Sequence, residues 1–274
     1  MTKQQIKQIF KEFYLKNDIA FDGRKHKYVV NGITCAGVST IAGYKPSPFL
    51  VPWAAKMVAE FLADKQDKIK GLTPKQYLDL LEEAKKTYRR KSKEAADIGT
   101  IVHDWLEQYL KQENPPKPKG KEAQNAINQF LEFEKKYSVD WICLEKIVCD
   151  CKNNVAGRID ALAFVKDKLT LVDFKTSSQI SDSFFLQTAG YSSCLAYMGI
   201  QVEQRIILRL PKKEEDSFEA ILVPTDYEKD REAFLHQRYS WQYQGYLDVN
   251  FKEEKEVEVK GRKYKNKVFK DFRI

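Results

Sequence analysis

Gly157-Arg158-Ile159-Asp160 and, after a short turn, Val172-Asp173-Phe174-Lys175 decide how this chain is read. Both stretches sit in apolar-rich segments, one leading to Phe164 and the other starting at Lys168, with a polar turn at Lys166-Asp167 between them. That pattern predicts two antiparallel strands joined by a hairpin. If Lys166-Asp167 is a two-residue loop, Val165 faces Lys168 and Asp160 faces Asp173. Residues directly opposed across a pair lie with Cβ atoms only about 4.5–5.5 Å apart, and two like charges at that distance destabilise a sheet. A divalent cation between them removes the penalty, and carboxylate oxygens suit Mg²⁺ or Mn²⁺. Lys175 follows Asp173 by two residues and shares its face, which sets an ammonium beside the same point. A three-residue loop would shift the register by one and place the two aspartates on opposite faces. The alternative for both is a surface hairpin with solvated carboxylates, and for Lys175 a salt bridge to the same aspartates. Their apolar surroundings weigh against solvated carboxylates, because an unpaired charge among apolar side chains is costly.

Further out lie two more chemistry-bearing stretches. Gly99-Thr100-Ile101-Val102-His103 opens a helical pattern, and Gln187-Thr188-Ala189-Gly190-Tyr191 places Gln187 and Tyr191 on one helix face. The order histidine, aspartate, Asp-x-Lys, Gln-x-x-x-Tyr resembles the PD-(D/E)xK nuclease superfamily, specifically its RecB-like exonuclease branch. The resemblance covers roughly residues 98 to 195. A looser likeness, over Tyr28 to Trp53, is to phage exonucleases and the mitochondrial genome maintenance exonuclease.

The resemblance implies an α/β fold: a restriction-endonuclease-like mixed β-sheet core flanked by helices, with an added N-terminal helical region. It implies that Asp160, Asp173 and Lys175 are catalytic. Asp160, Asp173, the Phe174 backbone carbonyl and His103 would hold metal, with Glu145 at an acidic position often seen in relatives. Gln187 and Tyr191 would contact substrate, through hydrogen bonds from the glutamine and from the tyrosine hydroxyl. Arg158, Thr176 and Ser177 flank the site and are candidates for phosphate contact. Glu107, four residues after His103, is either an orienting partner for it or a solvated neighbour. The implied activity is Mg²⁺-dependent hydrolysis of DNA to 5′-phosphate products in replication, recombination or repair, with Mn²⁺ as a substitute. The implied partners are DNA, as single strands or duplex ends, and a phage strand-annealing or replication protein.

Composition agrees with a polyanionic partner. The 274 residues carry a net charge of +8, and Lys and Arg bind phosphates with release of counterions. No apolar run reaches the roughly 18–20 residues needed to span a bilayer, so no membrane association is expected. The stretch from Met1 to Asn17 reads as an amphipathic helix with Ile6, Ile9, Phe10 and Phe13 on one side, and it lacks a signal-peptide pattern. The expected location is the cytoplasm of a bacterium or of a phage-infected cell. The five cysteines, Cys35, Cys143, Cys149, Cys151 and Cys194, are an odd number and read as reduced thiols. Some RecB-like relatives bind an iron–sulfur cluster through a C-terminal cysteine group. No cysteine follows Cys194, so no such cluster is expected. Cys143, Cys149 and Cys151 share parity on one strand, which admits a metal site, with buried apolar thiols as the plainer reading.

The chain divides into three parts on this reading: residues 1–98, a hairpin and helical region with residues 35–98 a candidate DNA arch; residues 99–249, the nuclease core; and residues 250–274, a charged tail. Asn31-Gly32 marks a hairpin. A helix follows Pro52, and Thr73-Pro74-x-Gln76 is a helix start with a capping box. That helix is expected to break at Gly99, with Thr100 capping the next. A proline- and lysine-rich loop spans 114–120, and a helix is expected over 121–137. Strands are expected at about 141–150, 156–165 and 168–175, then a helix over 183–198, strands near 204–210 and 218–223, and a helix over 226–243. The tail is expected to be either mobile or a small hairpin around Lys260-Gly261. Two further functions stay open: an endonuclease of the same fold, and a non-catalytic nucleic-acid-binding module. The second sits poorly with an intact Asp160, Asp173 and Lys175 set.

Overall fold

The computed structural model of the chain describes residues 1–45, 47–223, 227–259 and 262–270. Helix α1 (Lys3–Lys16) begins at a capping box in which Thr2 and Gln5 satisfy each other's backbone amides. Strands β1 (Ile19–Asp22), β2 (Lys27–Val30) and β3 (Ile33–Gly37) follow. The β2–β3 turn is Asn31-Gly32, both at positive φ, as the two-residue hairpin requires. Next come α2 (Val38–Ala42), α3 (Leu50–Ala63), α4 (Gln66–Ile69) and the long α5 (Pro74–Leu110). Helix α6 (Lys121–Tyr137) leads into a meander of β4 (Asp140–Asp150), β5 (Val155–Val165) and β6 (Lys168–Lys175). Then come α7 (Asp182–Tyr197), β7 (Gln204–Arg209), β8 (Glu219–Val223) and α8 (Tyr227–Asn250). The described chain closes with β9 (Lys252–Val259) and β10 (Arg262–Phe269).

The result is a mixed α/β fold. Eight strands form one sheet in the order β1-β2-β3-β5-β6-β7-β8, with β4 also paired to β5. The pairs β3/β5 and β6/β7 are parallel and the others antiparallel. One face of the sheet buries Ile159, Leu162, Leu169 and Leu171 against α1, α2, α7 and α8, through Ile6, Phe10, Val38, Ile41, Leu195 and Phe234. The other face buries Ala161, Ala163, Val172 and Phe174 against the end of α5 and against α6, through Val102, Leu106, Ile127, Phe130 and Phe133. Layers of helix on both faces of a mixed sheet are what the strand and helix patterns predict. No helix among the described residues is long and apolar enough to cross a membrane.

The hairpin at Lys166-Asp167 is a two-residue loop, with Val165 paired to Lys168. Both loop residues sit at positive φ, 50° and 62°, the type I′ geometry that matches strand twist. The register therefore runs as expected from Val165/Lys168 to Ala161/Val172.

The expected break at Gly99 is absent, and α5 runs unbroken through it. The boundary expected at residue 98 falls inside this helix. A glycine within a helix costs only about 1 kcal/mol relative to alanine, and the last turns of α5 bury Val102, Trp105 and Leu106. Thr100 does not cap; its hydroxyl donates to the Ala96 carbonyl at 3.2 Å. Gly99 serves packing instead, since a Cβ there would lie 3.0 Å from Thr176 Oγ1. The start of α5 is as expected, with Thr73 and Gln76 forming a capping box around Pro74. The N-terminal half of α5 together with α3 stands largely in solvent: α3 buries none of its residues, and Ala84 is the one buried residue of α5 before Val102.

In the charged tail β9 and β10 pair antiparallel, and among the described residues only with each other; Lys260-Gly261, the expected turn, lies outside the described residues. Helix α8 is longer than the expected 226–243 and reaches Asn250.

Helices α7 and α8 approach closely at Gly190, in the middle of α7. A Cβ there would lie 2.5 Å from the Phe234 ring of α8, and Phe234 is 1 % exposed. Overpacking of a well-filled core typically costs about 1–3 kcal/mol. Gly190→Ala is therefore expected to lower the thermal midpoint by several degrees with secondary structure retained, measured by circular dichroism. An unchanged midpoint would rule out the close α7–α8 contact.

Candidate active site

The site is built where the sheet divides. Strand β5 is paired to β4 along almost its whole length. Its other edge is shared: Val155 and Ala156 pair with β3, and residues 161–165 pair with β6. Between them, residues 157–160 have no ladder partner on that edge among the described residues. Asp160 stands at the fork. Its Oδ2 accepts the Phe174 backbone N–H at 2.7 Å, so a side chain replaces the strand partner and the ladder ends one pair before Asp160 would meet Asp173. The expected opposition of the two aspartates is in this way prepared by the register and opened by the bond to Phe174.

The gap lets helices from both faces reach one point. From one face, α5 brings His103, with Nδ1 3.8 Å from Asp160 Oδ1. From the other, α7 brings Gln187 and Tyr191. Gly157 makes room for this, because a Cβ there would lie 2.6 Å from the Tyr191 ring. Asp173 and Lys175 project toward α7, on the face of Leu169 and Leu171. Lys175 Nζ lies 2.7 Å from Asp173 Oδ2 and donates to Gln187 Oε1 at 3.2 Å, while Gln187 Nε2 donates to the Tyr191 hydroxyl at 3.0 Å. Gln187 and Tyr191 thus hold the lysine in place.

Asp173 is 1 % exposed, and burial pushes its carboxyl upward despite the neighbouring ammonium. Burial alone would lower Lys175, but the carboxylates of Asp173 and Asp160 outweigh it and hold the ammonium above its ordinary value. The lysine–aspartate contact is close as an ion pair, yet neither Asp173 oxygen receives a hydrogen bond of good geometry among the described residues. A buried carboxylate with both oxygens in that state has room for a further positive partner.

Glu145 completes the cluster. It lies opposite Asp160 in the β4/β5 pair, between the Leu144/Ala161 and Lys146/Ile159 pairs. Its φ is +50°, a conformation that costs a non-glycine residue of order 1–3 kcal/mol and that concentrates at functional sites. Burial first, then the Asp160 charge, push its carboxyl up to about 7, against the pull of Arg158. Arg158 Nε lies 2.7 Å from Glu145 Oε2 as an ion pair. His103, Glu145 and Asp160 each offer one ligand atom, and the three lie within 4.8 Å of one another. These three donors fit a hard divalent cation, while Asp173 is not among them and is paired with Lys175.

The remaining expected residues are placed as follows. Phe174 lies between the aspartates with its ring against Phe130, Trp141 and His103. Thr176 lies beneath Gly99. The Ser177 hydroxyl donates to the Gln179 carbonyl at 2.8 Å. Glu107 pairs with Lys111 at 2.5 Å rather than with His103. The three cysteines do not all converge: Cys149 and Cys151 lie side by side, Cys149 buried with Cys35, Tyr28 and Ala156, while Cys143 packs against another cluster. Cys151 lies just past the end of β4, and Glu145 at positive φ interrupts the strand between Cys143 and Cys149, so the expected shared parity is not kept.

Sequence reasoning missed one wall. A cavity of about 280 Å³ is lined by His103, Glu145, Arg158, Asp160, Gln187 and Tyr191 and also by Phe21, His26, Tyr28 and Ser39. The last four come from the N-terminal hairpin and α2. No local signal marks them, since they reach the site only because β3 joins β5 in the sheet.

No protein-family model matches the chain, and no curated protein matches it. Among solved structures, a crystal structure of SSO0001 aligns over 53% of this chain and 70% of its own, at 14% identity and a TM-score of 0.26. Likeness at that level carries no argument about fold or function.

The raised Glu145 carboxyl has a consequence for stability. A carboxyl whose value is raised on folding supports the fold below its unfolded value, here 4.5, and that support is lost as pH rises through about 7. Glu145→Gln keeps an acceptor for Arg158 and removes the titration. In chelator, the thermal midpoint of the variant is expected to fall less between pH 5.5 and 8.5 than that of the parent protein. Asp173, shifted the same way, leaves a residual slope. Equal slopes would show that Glu145 is not held up by its surroundings.

Proposed function

We propose that this protein is a metal-dependent deoxyribonuclease with a restriction-endonuclease-like core, acting as an exonuclease that leaves 5′-phosphates. The observation that carries the reading is the convergence, in the gap of the sheet, of Asp160, Asp173 and Lys175 with His103 and Glu145, in the presence of underbonded buried carboxylate oxygens. The net charge of +8 supports a polyanionic substrate.

In this reading Asp160, Glu145 and His103 would hold the metal, and Asp173, outside that group of three, would add its buried negative charge beside Lys175. A divalent cation bound there supplies Lewis-acid polarisation of a phosphodiester and a lowered pKa for bound water. The protein's own residues do the rest. Lys175, held as an ammonium by the carboxylates, orients the attacking water and offsets charge that builds on the phosphate. Gln187 and Tyr191 fix the lysine and exclude bulk water from its far side. Arg158, half exposed beside Glu145, is placed to meet a phosphate oxygen with its outer nitrogens. Charge balance also favours this role for Lys175 over that of a base, since two carboxylates oppose its deprotonation.

The solvent-exposed α3 and the first half of α5 supply an observation for the exonuclease over the endonuclease form, because a projecting helical arm can restrict entry to strand ends. The test is the purified protein on end-labelled linear and covalently closed circular DNA, with Mg²⁺, Mn²⁺ or EDTA. Linear DNA is expected to be degraded only with metal. Asp173→Asn and Lys175→Ala are each expected to reduce turnover by about 10²–10³-fold, the scale of losing one preorganised electrostatic group, with DNA binding retained. Cutting of circles would instead assign the endonuclease form. Binding without cleavage under any metal would sink the catalytic reading.

Metal binding itself is separately measurable. Glu145 must give up its proton to ligate, so affinity for Mn²⁺ is expected to fall steadily as pH drops below about 7. Titration calorimetry at pH 6 and 8 checks this. An affinity independent of pH would remove Glu145 from the ligand set.

A further inference from the structure

We propose that the β1–β2 hairpin supplies a base-stacking subsite for one nucleotide of single-stranded DNA beside the carboxylate cluster. The proposal rests on the nuclease reading and adds a specific contact to it. Phe21 and Tyr28 are cross-strand partners in the β1/β2 ladder, and their rings stack with centroids 4.6 Å apart. His26 meets Phe21 edge-on at 6.2 Å. The Arg158 guanidinium carbon lies 5.5 Å from the centre of the Phe21 ring, while its Nε holds Glu145. Aromatic faces and a tethered guanidinium therefore form one side of the cavity whose other side carries His103, Glu145 and Asp160.

That arrangement is more than a packed corner of the core. Tyr28 is buried, but Phe21 is half-buried and His26 is exposed at a φ of +47°. The turn is fixed by Asp22, whose Oδ1 accepts the backbone N–H groups of Arg24 and Lys25 at 3.0 and 3.3 Å. Arg24, Lys25 and Lys27 are exposed on the same hairpin and carry charge complementary to a phosphate backbone. A nucleotide offers two recognisable parts, an anionic phosphate and a flat π-face. The cavity presents a cation-binding cluster for the first and an aromatic and guanidinium platform for the second. Stacking on such a platform is tolerant of base identity, which suits processing of any sequence. Its volume of about 280 Å³ lies near the ~300 Å³ lower end of small-ligand sites, the scale of one base rather than of a paired duplex.

The test compares kcat/KM on end-labelled single-stranded oligonucleotides that are either intact or carry one abasic nucleotide, placed in turn at the first three positions from each end. Wild-type protein is expected to lose about tenfold at one of these positions, the scale of one base–aromatic stack. Phe21→Ala is expected to lose a similar factor on intact DNA and to show little further loss on the abasic oligonucleotide, because both changes remove the same contact. Phe21→Leu keeps apolar packing without a π-face and is expected to behave as Phe21→Ala, which separates stacking from folding. Multiplicative losses from the variant and the abasic site, or a Phe21→Leu protein with wild-type kinetics, would overturn the proposal while leaving the nuclease reading intact. Absence of cleavage of the intact oligonucleotide by wild-type protein would sink both.

Discussion

The 2.7 Å bond from the Phe174 amide to the Asp160 carboxylate governs the rest of the site. A strand residue usually gives its N–H to a neighbouring backbone carbonyl. Here the donor goes to a side chain, so β5 and β6 separate one pair before the two aspartates meet. The other end of β5 is taken up by β3, and the four residues between are left without a ladder partner on that edge. A sheet is normally a wall between two helical layers. At this gap the wall is open, and His103 from one layer and Gln187 with Tyr191 from the other come within reach of the same carboxylates.

Opening a sheet in its interior exposes charge to a dry environment, and the structure compensates in several ways. Lys175 offsets Asp173, and its own ammonium is held by Gln187 and the two aspartates. Arg158 offsets Glu145. The compensation is incomplete: both Asp173 oxygens lack a well-placed donor, Glu145 is pushed up to about 7, and its backbone is held at a positive φ. Residual cost of this kind is characteristic of sites poised for a ligand rather than of finished structural networks. Two glycines permit the arrangement. Gly157 admits the Tyr191 ring and Gly99 admits Thr176, so a side chain at either position would crowd its neighbour at the fork.

The N-terminal hairpin has a second consequence. By joining β3 to β5 it extends the sheet and also delivers Phe21, His26 and Tyr28 to the rim of the cavity. The segment before α5 is therefore tied to the site at one end. At the other, α3 and the front of α5 extend into solvent with almost no buried side chains. The same stretch of chain thus contributes both a wall of the site and a projecting arm.

Most of the element pattern was legible from local chemistry. Alternating apolar residues and the two-residue loop at Lys166-Asp167 determined the β5/β6 register, and with it the shared neighbourhood of Asp160, Asp173 and Lys175. The spacing of Gln187 and Tyr191 determined that they share a helix face. Asn31-Gly32 and the Thr73–Gln76 capping box determined where a hairpin turns and a helix starts. Each of these depends on neighbours within a few residues, which is why sequence suffices. The course of the chain at Gly99 was not legible, because a local helix penalty of about 1 kcal/mol is outweighed by burial of Val102, Trp105 and Leu106, which only the tertiary structure provides. Nor was the fork itself, which depends on a side chain of β5 capturing an amide of β6. Glu145 was visible as an acidic residue on a strand, but its place opposite Asp160 follows from a long-range pairing. The wall formed by Phe21, His26 and Tyr28 was invisible for the same reason: more than a hundred residues separate it from Asp160, and only the β3/β5 pairing brings the two together.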